Sequence, residues 1–185
     1  AIPASAQGDE TWSVSCRVGW GLGATGYYRP GEWMPVEVRI ASRLKAPLEG
    51  FARLQMQQDR MTTLDLSHRF ALTPHLPVVL PMVSKLAFGA DRYRLSLFDA
   101  DGRTLWEHTY EPYSAGDMLA KALAPQDMLI AAAGRRGFGL HDLGRGTHTR
   151  ADYETGRVQV ASVRPEGLPR DWTAYESLDL LVLYD

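Results

Sequence analysis

The chain's 185 residues suit one domain, or one domain and part of another. A hydrophobic fraction of 45% excludes a disordered protein, and a formal net charge of −2 with both signs interspersed excludes the basic block of a nucleic-acid binder. No apolar run approaches the roughly 20 residues needed to span a bilayer, and a lone cysteine, Cys16, excludes an internal disulfide.

Residues 1–10, AIPASAQGDE, read as a flexible leader. Ala4-Ser5-Ala6 has the small-residue form of a signal-peptidase site, and the polar Gln7-Gly8-Asp9-Glu10 follows it. The expected location is therefore extracytoplasmic, in the periplasm or cell envelope. From residue 11 apolar side chains recur at every second position. Trp12, Val14, Cys16, Val18 and Trp20 share one face, and Met34, Val36, Val38 and Ile40 share another. LEGFARLQMQ, TLDLSHRFAL, LPVVLPMVS, YRLSLFDA and RTLWEHTY continue the series, and the Asp-Gly of DADG marks a hairpin between the last two. Seven short strands with turn signals between them predict an immunoglobulin-like antiparallel β-sandwich over residues 11–112.

Within it, YYRPGEWMPVEVRI enters the second of these strands. Pro30-Gly31 is a turn dipeptide, and Pro35, lacking an N–H, suits the start or edge of a strand. Trp33 is expected to cap the end of the sandwich core. The alternative use of Trp33, with Tyr27 and Tyr28, is stacking on a carbohydrate or contacting a partner.

Beyond residue 112 the pattern changes. SAGDMLAKALAP has an N-cap in Ser114, a helical apolar face in Met118, Leu119, Ala122 and Leu123, and a stop at Pro125. DMLIAAAG and RVQVASV read as strands, and LPRDWTAYESL as a loop with a helical turn. The run Leu178, Leu180 to Leu183 reads as a strand buried on both faces. These elements predict a partial α/β segment with a parallel sheet over residues 113–185. A buried last strand needs neighbours, so the native protein is expected to continue past Asp185. An uncovered edge there also predicts self-association through the C-terminal strand.

Candidate chemistry is sparse. Cys16 lies in phase with Val14 and Val18, so a buried, inert thiol is expected rather than a nucleophile. DADGRT begins like a calcium loop, but its sixth and twelfth positions hold Thr104 and Tyr110 instead of Gly and Glu. His141, Asp142 and His148 match no common zinc spacing. In AAAGRRGFG, Arg135 and Arg136 follow a predicted parallel strand, at the end where α/β ligands bind, which makes them candidates for an anion contact. No G-x-S-x-G, H-E-x-x-H, P-loop or C-x-x-C occurs. No cofactor, metal or nucleic-acid partner is expected.

Taken together, PGEWMPVEV and the pattern LP-x-x-W-x-x-Y-x-x-L-D over residues 168–179 resemble a group of bacterial membrane-anchored proteins. In these an extracytoplasmic immunoglobulin-like domain precedes a domain resembling class I glutamine amidotransferases, with transmembrane helices further on. The resemblance implies that residues 113–185 open a truncated amidotransferase-like domain and that membrane attachment lies in missing segments. It carries over no catalytic residue, since the nucleophilic Cys and the His-Glu pair of an amidotransferase have no counterpart here. The expected function is a non-catalytic binding or scaffolding fragment of a larger envelope protein, its partner another protein or its own downstream domain. Two alternatives stand beside it: the accessory region of an enzyme whose active site lies beyond residue 185, and a carbohydrate-binding module.

Overall fold

The computed structural model describes residues 11–21, 26–59, 61–87, 92–110, 120–134, 147–149 (backbone only) and 155–184. In chain order the strands are β1 (Trp12–Val18), β2 (Tyr27–Tyr28), β3 (Trp33–Ser42), β4 (Leu48–Gln57), β5 (Thr63–Leu72), β6 (Val78–Lys85), β7 (Tyr93–Asp99) and β8 (Thr104–Tyr110). They are followed by β9 (Lys121–Ala122), β10 (Met128–Ala133), β11 (Thr147–Thr149), β12 (Thr155–Val163) and β13 (Leu180–Leu183). Short 3₁₀ segments span Pro165–Gly167 and Trp172–Ser177. The predicted leader lies outside the described residues, as does most of the glycine-rich stretch after β10.

All seven predicted strands of the first region are present. They form two antiparallel sheets, β1-β3-β6 and β5-β4-β7-β8. Val36, Val38 and Ile40 of one sheet meet Leu54, Leu95 and Leu97 of the other in a shared core. Period-2 alternation puts these side chains on the facing sides of two layers, and each large apolar residue sealed there stabilises by about 1.5–3 kcal/mol. The DADG hairpin joins β7 to β8, with Gly102 N donating to Asp99 O at 3.1 Å. Pro30-Gly31 forms its turn, closed by Glu32 N donating to Arg29 O, and Gly31 takes the positive φ of +82° that the turn demands. Pro35 lies two residues inside β3 rather than at its start. Its carbonyl accepts from Gly19 N just past the end of β1, so the missing N–H falls at the end of the β1–β3 ladder and not inside it.

β1 corrects one expectation. Val14 and Val18 are buried, but Trp12 and Cys16 are half-buried and only pack against the core. Among the described residues β1 pairs with β3 alone, which makes it an edge strand there. The Cys16 thiol is nevertheless desolvated. Burial pushes its pKa up to about 12, opposed by a smaller hydrogen-bond contribution from Tyr93.

The second region contains a sheet of order β11-β12-β10-β13. β10 runs parallel to both β12 and β13, and β11 is antiparallel to β12. The strand buried on both faces is β10, where Leu129 to Ala133 are all buried. That corrects the reading of the C-terminal run: β13 has a strand neighbour on one side only among the described residues, and Leu180 and Leu183 are 49% and 66% exposed. The predicted helix over 114–125 is also corrected where it can be seen. Lys121 and Ala122 are extended and pair in parallel with Tyr27 and Tyr28. In this segment Ala120 belongs to the sandwich core and Leu123 to a second core around β10. An extended chain presents alternate residues to opposite sides, whereas a helix would present one stripe.

A direct check is available at Cys16. Against an ordinary thiol pKa of about 8.5, a value near 12 leaves roughly a thousandth of the thiolate at pH 8. Reaction with a thiol reagent should therefore be slower in native protein than in urea by about three orders of magnitude. Because its pKa is raised on folding, the thiol's contribution to stability is full below pH 8.5 and is lost as pH rises towards 12. Rapid native labelling would refute this placement.

Candidate functional site

The polar and aromatic side chains that do the most specific work cluster where the sandwich meets the parallel sheet. Val18 is the last residue of β1 and belongs to the sandwich core, while Trp20 belongs to the second core. Gly19 makes the transfer between them. It takes a φ of +79°, and a Cβ there would sit 2.4 Å from Tyr27 O, so no other residue fits without moving the backbone.

Trp20 is 1% exposed and lies against Leu129, Ala131, Ala161 and Val163 of the parallel sheet. Its Nε1 donates to Ser177 Oγ at 2.9 Å, satisfying the one polar atom of the indole. Its ring meets Tyr175 at a centroid distance of 5.4 Å, tilted by 50°. Tyr175 in turn donates its hydroxyl to Pro169 O at 2.9 Å, and desolvation raises its pKa. The turn Trp172–Ser177 that supplies Tyr175 and Ser177 starts at Asp171, whose carboxylate accepts from Thr173 Oγ1 at 2.8 Å and Thr173 N at 3.0 Å. Those two bonds hold the Asp171 carboxyl below its usual range.

Arg29 is the electrostatic centre. It follows β2 and precedes the Pro30-Gly31 turn, with its side chain 12% exposed. Nη2 donates to the Asp179 carboxylate and, at 2.9 Å, to Asp127 O, and Nη1 lies 3.6 Å from Glu32 Oε2. The Asp179 carboxylate also accepts from Leu129 N at 2.8 Å. Asp127 accepts from Arg157 N at 2.9 Å and Ala124 N at 3.3 Å. Two aspartates therefore satisfy backbone N–H groups at the starting ends of the parallel strands, and one guanidinium ties them to the sandwich. Such charge-assisted bonds are the stronger class.

The candidate aromatics do not form a common platform. Tyr28 is buried in the sandwich core, and desolvation raises its pKa. Tyr27, one residue earlier in β2, points the other way and packs on the second core. Trp33 is half-buried, with Lys85 Nζ 4.8 Å over its ring and its backbone N–H donating to Glu176 Oε2 at 3.2 Å. Arg135 and Arg136 lie outside the described residues, as do His141 and Asp142. Among the described residues no group of three or more His, Cys, Asp or Glu is placed to hold a metal ion. What sequence reasoning missed is Trp20, Arg29, Asp127, Ser177 and Asp179. Arg29 and Asp179 are 150 residues apart, and nothing local to either names the other.

No protein-family model matches the chain, and no curated protein is similar to it. Among solved structures, the chain has a distant likeness to a beta-glucosidase from Listeria innocua in complex with glucose. The TM-score is 0.33 at 10% identity, and the match covers 61% of this chain and 17% of that one. A likeness at that level carries no argument about fold or activity.

Replacing Trp20 by Phe tests the anchor. The variant loses the indole N–H and part of the ring, and should cost about 2 kcal/mol of stability. Urea unfolding with an unchanged m-value measures it. A loss below about 0.5 kcal/mol, the range of ordinary surface substitutions, would show that the indole is not an anchor.

Proposed function

We propose that this chain is a non-catalytic, extracytoplasmic scaffolding or binding module. In this reading an immunoglobulin-like sandwich carries the opening strands of an α/β, glutamine amidotransferase-like unit and holds them in one fixed orientation. The observation that carries it is the junction itself: Trp20 and Tyr27 reach from the sandwich into the core of the parallel sheet, and Arg29 ties the starts of two of its strands to the same place. A module that merely preceded its neighbour along the chain would need no shared core.

The order β12-β10-β13 supports the α/β part of the reading. The first parallel strand lies between the second and third, as in the opening of a doubly wound sheet. The non-catalytic part draws on Cys16, whose thiol is held protonated by burial and so is a poor nucleophile. The Asp127 carboxylate is already engaged by backbone N–H groups, and that of Asp179 by a backbone N–H and the Arg29 guanidinium. The carbohydrate-module reading is weakened by Tyr28, whose ring is in the core. The extracytoplasmic location rests on the Ala4-Ser5-Ala6 pattern and the family resemblance.

Scanning calorimetry tests the scaffold. The sandwich and the parallel sheet should melt in one cooperative transition, with calorimetric and van't Hoff enthalpies equal. Two transitions, of which only one responds to Trp20→Phe, would mean that the units fold independently and would overturn the reading.

A further inference from the structure

The connection from β12 to β13 does more than supply Ser177. It lies across the outer face of the β1-β3-β6 sheet, leaving a groove of about 380 Å³ between them. The floor belongs to the sandwich: Pro35 of β3, and Val79 and Pro81 of β6, with the Arg17–Glu37 ion pair at 2.9 Å. The opposite wall belongs to the second region, with Leu168, Pro169, Glu166 and Arg170. Cavities of this size between two units are where ligands commonly bind.

The lining selects a ligand class. Val79 is 47% exposed on the floor, an aliphatic surface that the fold does not cover. Among the described residues the one aromatic that reaches the groove, Trp20, is sealed and hydrogen-bonded to Ser177, so none of them offers a free ring face to a sugar or a base. The cations do not converge as a phosphate would require. Arg17 is neutralised by Glu37, and Arg170 shares its wall with Glu166. What remains is an aliphatic and prolyl floor flanked by one basic and one acidic side chain, neither of which enters an ion pair with a described residue.

We propose that this groove binds a short extended peptide segment. An aliphatic or prolyl side chain rests on Val79 and Pro81, and flanking residues of opposite charge reach Glu166 and Arg170. Because the walls come from both units, an occupant contacts both at once. The proposal deepens the binding-module reading and rests on it.

The probe is acetyl-Lys-Val-Pro-Glu-amide, titrated into isotope-labelled protein and followed by amide NMR. Shifts should appear at Val79 and Leu168, saturating with a Kd of about 1 mM. The double variant Glu166→Gln with Arg170→Gln should weaken binding roughly tenfold, as two exposed ion pairs allow. Val79→Asp should abolish it, with a single cooperative melting transition retained as the sign of an intact fold. No shift at Val79 and Leu168 up to about 10 mM peptide, or equal affinity in the double variant, overturns the proposal. So does a stronger response of the same amides to glucose or inorganic phosphate than to the peptide. A failed titration in a protein that still melts in one transition removes the groove but leaves the scaffold, whereas two melting transitions remove the scaffold itself.

Discussion

Trp20 is a large side chain that belongs to one core while the strand just before it belongs to another. β1 is part of the sandwich, yet two residues past its last core position the chain places an indole among Leu129, Ala131, Ala161 and Val163. Burying that ring is favourable only if its N–H keeps a partner, and Ser177 supplies it from 157 residues away. Much else follows from this. Gly19 has to take a positive φ to turn the chain, β2 must run between the two cores, and the turn Trp172–Ser177 must lie where it brings Ser177 to the indole. The tie is hydrophobic in its bulk and polar at its end, which makes it both strong and specific in geometry.

Arg29 adds what hydrophobic packing cannot, a fixed register. Apolar surfaces tolerate sliding, but a guanidinium that must meet the Asp179 carboxylate and the Asp127 carbonyl together does not. Both aspartates stand at the starting ends of the parallel strands. The carboxyl ends of those strands, where sheets of this kind bind ligands, are left free of this tie. The groove under residues 163–170 sits on the sandwich side of the same junction.

How much of this was legible in the sequence depended on whether the deciding contact was local. The alternation Met34, Val36, Val38, Ile40 placed β3 correctly because a strand with one buried face writes its period into the chain. Pro30-Gly31 and DADG placed their turns for a similarly local reason. The helix expected over 114–125 failed at Lys121 and Ala122 because composition favours helix there while two cores demand an extended chain. Leu180 to Leu183 read as a buried strand, yet the buried one is Leu129 to Ala133. A run of apolar residues reports hydrophobicity and not the number of neighbouring strands. Tyr27 and Tyr28 looked like a surface pair, but adjacent residues of a strand point apart, and each lies against a different core. Arg29 and Ser177 gave no local signal, since their roles exist only through partners far along the chain.

The two regions are joined by a specific polar tie and not only by adjacency. A double-mutant cycle on Arg29 and Asp179 tests it most directly, using Arg29→Met, Asp179→Asn and the pair, each measured by urea unfolding. The account predicts a coupling energy of about 1–3 kcal/mol, the double variant being less destabilised than the two single losses combined. Losses that add to within about 0.3–0.5 kcal/mol would contradict it, because residues that act independently behave that way.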